Sequence, residues 1–348
     1  MDSRACTIYT IIFILQRKQN LRNVLLDSKR ILKRYPKNPI LVPNEDCWWE
    51  SKAVFNCAIS YDGQMIHMLY RAVGEYEKYI SRIGYACSND GYKFNKMCEI
   101  AFGPSEDYEK YGMEDPRLVK INNQTYVTYV VLSGHVRDRP NVSSAVATTE
   151  NYREFSRLGI IKGGGRDNKD VVFFPEKFGN SSTDGNQSIV YLSLHRPSAW
   201  IGSAFGTDRP SIWLGEGRSL TNIERHTLLL KPEREWEALK IGAGVPPIKT
   251  NRGWLIIYHG VSKEKVYSVG AALLDLKKPN QILGRTKRPI LVPEESYERF
   301  GDVNNVVFPT GACIVDRELF VYYGGADKVC CLATADLSLL LDFILHDD

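Results

Sequence analysis

Several features are scarce in this chain of 348 residues, and each scarcity removes a class of protein. Helical periodicity is nearly absent between Ile40 and Leu332, so the fold class is all-β. The apolar run Thr7–Leu15 is too short to span a bilayer, and its weakly basic flank and missing cleavage site disfavour a signal peptide. Charge of one sign is also lacking. The 45 Lys and Arg residues against 41 Asp and Glu leave a net +4 that is spread along the chain, which argues against a nucleic-acid partner. Eight cysteines are present, but none forms a CxxC pair and no histidine cluster accompanies them, so no metal or redox cofactor is indicated. A domain of this size needs no disulfides, and adjacent Cys330 and Cys331 in an apolar run read as small buried hydrophobes. Reduced thiols favour a cytoplasmic location. The run Gly163–Gly165 lacks the lysine and following helix of a phosphate-binding loop.

What is abundant is aromatic and β-forming. There are 19 Tyr and 6 Trp, and one pattern recurs every 60 to 65 residues or so. Its centre is a strand, seen as MIHMLYR (Met65–Arg71), TYVTYVV (Thr125–Val131), IVYLSLHR (Ile189–Arg196), WLIIYHG (Trp254–Gly260) and LFVYYGG (Leu319–Gly325). A second strand precedes each and a third, with small residues, follows. Asp62-Gly63 and Asn122-Asn123 are hairpin turn signals. The polar stretch Asn180–Gln187 reads as a surface loop. PILVP occurs twice, at Pro39–Pro43 and Pro289–Pro293, marking entry to the blade region at both ends. Five such meanders predict a five-bladed β-propeller over residues 36–348, with a sandwich as the alternative. Leu21, Val24, Leu25, Ile31 and Leu32 lie at helical spacing, so residues 1–35 are expected to form a short helical extension. In a homo-oligomer it could cover a neighbour's funnel.

Propeller strand ends line a central funnel, and unusual polar residues sit at comparable places in the five repeats. Near the first strands are Asn56, Glu114-Asp115, Pro175-Glu176, Lys249 and Thr310; ending or following the second are Arg71, His195-Arg196, His259 and Asp327. In Glu114-Asp115-Pro116-Arg117, two acids interrupt an apolar strand entrance, and Arg117 can pair with one while the other transfers protons. A strand-edge ion pair is the plainer explanation of that motif alone. Glu176 reads as pairing with a nearby cation. His67 reads as structural; Trp48-Trp49 could stack on sugar or anchor the first blade.

The runs RYPKNPILVP, LYRAVG, SRIGYACSNDG, GMEDPRLVKI, KDVVFFPEK, LHRP, PPIKTNRGWLIIYHG, NVVFPTGA and YYGGAD, together spanning about Arg34 to Leu341, resemble glycoside hydrolase family 130, the β-mannoside phosphorylases and β-mannosidases. The overall look is closest to the subgroup acting on β-1,2-linked oligomannosides. The resemblance implies a five-bladed propeller with an inverting mechanism and Asp115 as general acid, its proton in some members passing through a sugar hydroxyl. It places sugar contacts on Asn56, Arg71, Arg82 and Asp327, with Glu114, Arg117 and His195 beside them, and phosphate contacts on Lys169, Arg196, Lys249 and His259, which read together as converging cations without obvious acidic partners. Implied partners are a β-mannoside and inorganic phosphate as co-substrate, with no other cofactor. Lysine at position 249, where hydrolytic members carry an acid, favours phosphorolysis over an inverting β-mannosidase, which needs a second carboxyl as base. A non-catalytic sugar-binding propeller is the third alternative. Glu75–Tyr79 departs from the family pattern as a small insertion near the sugar site, as does Cys57 after Asn56, and either could alter acceptor preference.

Overall fold

The structure, a computed structural model, describes residues 31–136, 139–181 and 187–347. It is a five-bladed propeller of antiparallel sheets. Blade one comprises β2 (Ala53–Tyr61), β3 (Ile66–Val73), β4 (Arg82–Ser88) and β5 (Asn95–Lys96), following β1 (Lys33–Arg34), which belongs to the last blade. Blade two is β6 (Met113–Ile121), β7 (Gln124–Val136), β8 (Arg139–Thr149) and β9 (Ser156–Ile160). Blade three is β10 (Asn168–Ser181), β11 (Gln187–Pro197), β12 (Ile212–Gly217) and β13 (Arg225–Leu230). In blade four the inner strand is split into β14 (Lys240–Ala243) and β15 (Ile248–Lys249), both pairing with β16 (Trp254–Val261), then β17 (Tyr267–Leu274) and β18 (Ile282–Arg285). Blade five is β19 (Val307–Val315), β20 (Glu318–Gly325) and β21 (Val329–Asp336), completed by β1 pairing with β21.

That pairing joins the two ends of the described chain in one sheet and closes the ring. It also moves the expected boundary. The propeller begins at residue 33 rather than 36, because Ile31 and Leu32 are buried in the blade-five core beside the C-terminal helix Leu337–His346. The expected helix over Leu21, Val24 and Leu25 lies outside the described residues. The two PILVP segments bridge blades in equivalent ways, Leu41 against Cys330 of β21 and Leu291 against Val269 of β17. Asn122 and Asn123 both have positive φ, as the hairpin signal requires, and Cys330 and Cys331 are fully buried thiols. The stretch read as a loop at Asn180–Gln187 instead has strand at both margins, with residues 182–186 outside the described set.

In four blades the structure repeats a buried polar post that periodicity alone does not reveal. Tyr70, Tyr129, Tyr258 and Tyr323, one per middle strand, each donate a hydroxyl hydrogen bond to a buried glutamate: Glu50, Glu109, Glu237 and Glu298, at 2.7–2.8 Å. Each glutamate is also paired with a cation from an outer strand: Lys96, Arg157, Arg285 and Arg34. Three of these carboxylates further accept two backbone N–H bonds just upstream. A buried charge is tolerable when its hydrogen-bonding capacity is filled in this way. The sequence signal was available: Pro104–Glu109, Pro232–Glu237 and Pro293–Glu298 each run from proline to an aromatic residue followed by glutamate. Among its described residues blade three lacks the glutamate. His195 stands at the tyrosine position and meets His226 of β13 at 3.1 Å.

Candidate active site

The inner strands share one irregularity. In blades one, two, three and five the register slips between Phe55 and Ala58, Glu114 and Arg117, Lys169 and Val172, and Pro309 and Gly311. Such bulges re-aim a side chain out of the sheet's alternation. In three of them the re-aimed residue is in the left-handed region: Asn56 (φ 48°), Asp115 (φ 49°) and Asp170 (φ 57°). Asn and Asp tolerate that backbone better than other non-glycine residues. All three line one cavity of about 400 Å³, within the usual range for a ligand site. The third equivalent is therefore Asp170, not the Pro175-Glu176 expected from spacing.

Asp115 Oδ1 accepts from Asn56 Nδ2 at 2.8 Å and lies 3.3 Å from Arg71 Nη1, while Arg71 Nη2 donates to Glu114 Oε1 at 2.5 Å. Arg71, not Arg117, thus pairs with the acids. Arg117 is buried, does not line the cavity, and donates to the carbonyls of Gly244, Asp115 and Pro116. Burial pushes the Asp115 carboxyl up, but the Arg71 and Arg117 guanidiniums and the Asn56 hydrogen bond outweigh it and hold the group below the ordinary carboxylate value.

Opposite in charge is a wall built from Lys169, Arg196 and Lys240, all lining the same cavity. Contrary to expectation, two of these cations have acidic partners. Arg196 Nε donates to buried Asp170 at 2.6 Å, and Lys169 Nζ lies 3.8 Å from Glu114. Lys240 makes no ion pair among the described residues; its ammonium lies 5.2 Å over the Tyr267 ring. Burial first, then repulsion from Arg196 and Lys169, lower its pKa to about 8. His259 also lines the cavity; burial takes it down to about 3, so the ring is neutral, and its Nδ1 is buried without a partner. Asn56 Oδ1 is likewise unpartnered. Buried polar atoms left without a partner are rare in folded proteins, and here both belong to residues that line the cavity.

Besides Arg117, three predicted site residues are outside the cavity lining. Lys249 pairs with Glu176 at 2.5 Å, both side chains well exposed at 53% and 39%. Its strand partner is Trp254, five residues along β16 from His259, a separation of about 17 Å at strand rise. The expected glutamate–cation pair exists, but away from the cavity. Arg82 does not line the cavity; it donates to the Ile80 carbonyl and lies over Trp48. His195 is fully buried behind it, bonded to Asn168 and His226, as the blade-three post. Trp49 anchors blade one, donating to the Cys98 carbonyl, while Trp48 stays exposed; His67 is structural, held by Tyr85. Asp170, Lys240 and Tyr267 were missed by sequence reasoning. Asp170 follows Lys169 as Asp115 follows Glu114, and that parallel was a usable signal.

Asp327 completes the cavity, and burial, with Asp115 and Glu114 as negative neighbours, pushes it up to about 7 despite Arg71. A carboxyl raised in the folded state stabilises the fold when protonated. That contribution falls as pH climbs out of the ordinary carboxylate range and is gone once pH passes about 7. Asp327→Asn should therefore raise the melting temperature at pH 8.5 and leave it nearly unchanged at pH 4. The rise from the ordinary carboxylate value to about 7 is worth about 4 kcal/mol at most. Melting curves of both proteins across pH check this; an equal shift at both pH values would contradict it.

A five-bladed propeller whose funnel sets a buried acid against a wall of cations defines a carbohydrate-cleaving enzyme of the propeller class. Residues 27–346 match the glycoside hydrolase family 130 model, described as beta-1,4-mannooligosaccharide phosphorylase, and the chain belongs to this family. It is 37% identical to the 1,2-beta-oligomannan phosphorylase of Thermoanaerobacter sp. (strain X514) over 88% of this chain and 97% of that protein. It is 36% identical to the beta-1,2-mannobiose phosphorylase of the same strain, over 85% of this chain and 94% of that protein. The solved beta-1,2-mannobiose phosphorylase from Listeria innocua, in complex with beta-1,2-mannobiose, superposes with a TM-score of 0.77 at 28% identity, covering 90% of this chain and 99% of that one. Among the described residues no helix is long and apolar enough to cross a membrane.

Proposed function

We propose that the protein is an inverting phosphorylase of β-1,2-linked manno-oligosaccharides, with inorganic phosphate as co-substrate and Asp115 as general acid. The observation that carries this reading is the cation wall. Lys240 is depressed by burial first and then by Arg196 and Lys169, and it makes no ion pair among the described residues, so a bound anion would offset both the lost solvation and the repulsion. Lys240 thus takes the phosphate role first expected of Lys249. Before phosphate binds, Asp115 is ionised; a phosphate dianion nearby raises it and favours proton uptake. A phosphate oxygen then attacks C1 from the face opposite the leaving sugar. The C1–O bond breaks, Asp115 protonates the departing oxygen, and the proton of hydrogen phosphate returns to Asp115. The products are α-mannose 1-phosphate and a sugar shortened by one unit. Asn56, Arg71 and Asp327 hold the reacting mannose in this scheme, and His259, which can tautomerise, donates to phosphate. The free state of the described cysteines fits a cytoplasmic setting.

The β-1,2 linkage is preferred over the β-1,4 linkage of the family description because the relatives above at 36–37% identity carry β-1,2 names. With phosphate present, β-1,2-mannobiose should be cleaved with a kcat/KM at least about 10-fold above that of β-1,4-mannobiose, since misplaced hydroxyls leave buried polar groups unpaired. The reverse order would overturn the linkage assignment. A hydrolytic reading has one observation in its favour: Asp327, pushed up to about 7, could serve as the base that activates water.

A further inference from the structure

Next to the lining residues Arg71, Val303 and Asp327, two loops from different blades are latched together. The segment between β3 and β4 carries Tyr76 and Tyr79; the segment before β19 carries Asp302. Tyr76 donates its hydroxyl to Asp302 Oδ1 at 2.8 Å and receives a hydrogen bond from Lys328 Nζ at 2.7 Å. Tyr79 donates to the other carboxylate oxygen at 3.3 Å. The two rings stack at 6.0 Å, and Tyr79 lies 5.8 Å from the Arg71 guanidinium. Every anchor adjoins a cavity residue: Asp302 precedes Val303, Lys328 follows Asp327, and Tyr79 covers Arg71. Yet Tyr76 remains 49% exposed, and Phe300 on the same blade-five segment is 71% exposed. The Tyr76 ring is fixed by polar bonds and still half open, so one of its faces is available to a ligand. Mannose offers C–H faces that pack on such rings, and a side chain already immobilised loses little entropy on binding.

We infer that Tyr76, held by Asp302 and Lys328, is a chain-length determinant: it forms a subsite for a third mannosyl unit of the β-mannoside, beyond the two sugars flanking the scissile bond. The occupant is sugar because the platform continues the wall formed by Arg71 and Asp327. The inference rests on the β-1,2-mannoside reading above, so its test includes a readout independent of turnover. Calorimetric binding without phosphate compares β-1,2-mannotriose with β-1,2-mannobiose, and phosphorolysis rates compare the same pair. The wild-type protein should favour the trisaccharide in both. Tyr76→Ala should lower the trisaccharide-to-disaccharide ratio about 10-fold, the scale of one aromatic contact. Tyr76→Phe, which keeps the ring, should retain most of the ratio. A ratio near one in the wild-type binding data, or one unmoved by Tyr76→Ala, would overturn the subsite. Absence of turnover with normal trisaccharide-selective binding would overturn the phosphorolysis reading and leave the subsite supported.

Discussion

Asp115→Asn is expected to lower the phosphorolysis rate constant about 1,000-fold, the midrange for losing a general acid, while the melting temperature falls because the amide loses the carboxylate's attraction to Arg71 and Arg117. The amide fits the site for two reasons. Asparagine accepts the left-handed backbone at φ 49°, and its carbonyl can still accept from Asn56 Nδ2, which bonds Oδ1 at 2.8 Å in the native protein. What is lost is the proton. The defect should therefore depend on the leaving group. A nitrophenyl β-mannoside, whose aglycone departs without protonation, should be cleaved with a much smaller deficit than a disaccharide. Initial rates with both substrates, alongside a melting curve, separate chemistry from folding. A variant that keeps a tenth or more of the disaccharide activity would remove Asp115 from the proposed role.

Arg196→Ala is expected to raise the KM for phosphate about 10- to 100-fold, the worth of a charge-assisted hydrogen bond. It should also lower stability. The guanidinium is 2.6 Å from Asp170, and both side chains are buried. Removing one member of a buried pair strands the other, at about 3–5 kcal/mol. The same truncation at Lys249 gives the contrast. Its pair with Glu176 is half exposed, and such pairs contribute about 0–1 kcal/mol, so Lys249→Ala should leave the phosphate KM within about twofold. Phosphate titrations of the two variants decide which lysine-and-arginine set holds the anion. A large effect at Lys249 with none at Arg196 would reverse the assignment made here.

Much of the fold was readable because it is written locally. Each blade repeats a β-rich middle strand between turn residues, and a hairpin such as Asn122-Asn123 needs only its own φ angles. Asn56, Arg71, Asp115, Arg196, His259 and Asp327 were readable for a related reason: they occupy one level of the repeat, and strand register carries that level from blade to blade. The errors arose where register breaks. Blade four splits its inner strand into Lys240–Ala243 and Ile248–Lys249, so counting from the neighbouring blades put Lys249 at the funnel when Lys240 is there. His195 was misplaced because blade three, which lacks the buried glutamate among its described residues, fills the tyrosine position with histidine, and the difference between a post and a ligand contact is a matter of which way one side chain faces. Lys240 gave no signal at all, since its environment comes from Arg196, Lys169 and Tyr267, all distant in sequence. Lys249 therefore does not line the cavity, whose cations are Lys169, Arg196 and Lys240.

The most direct test follows phosphorus and sugar together when the wild-type protein is given β-1,2-mannobiose, with inorganic phosphate supplied or omitted. If the cation wall holds the attacking group, α-mannose 1-phosphate and free mannose accumulate in equal amounts with phosphate, and neither forms without it. Free mannose released at the same rate in both reactions, with no sugar phosphate, would mean that water attacks and that Lys169, Arg196 and Lys240 serve another purpose.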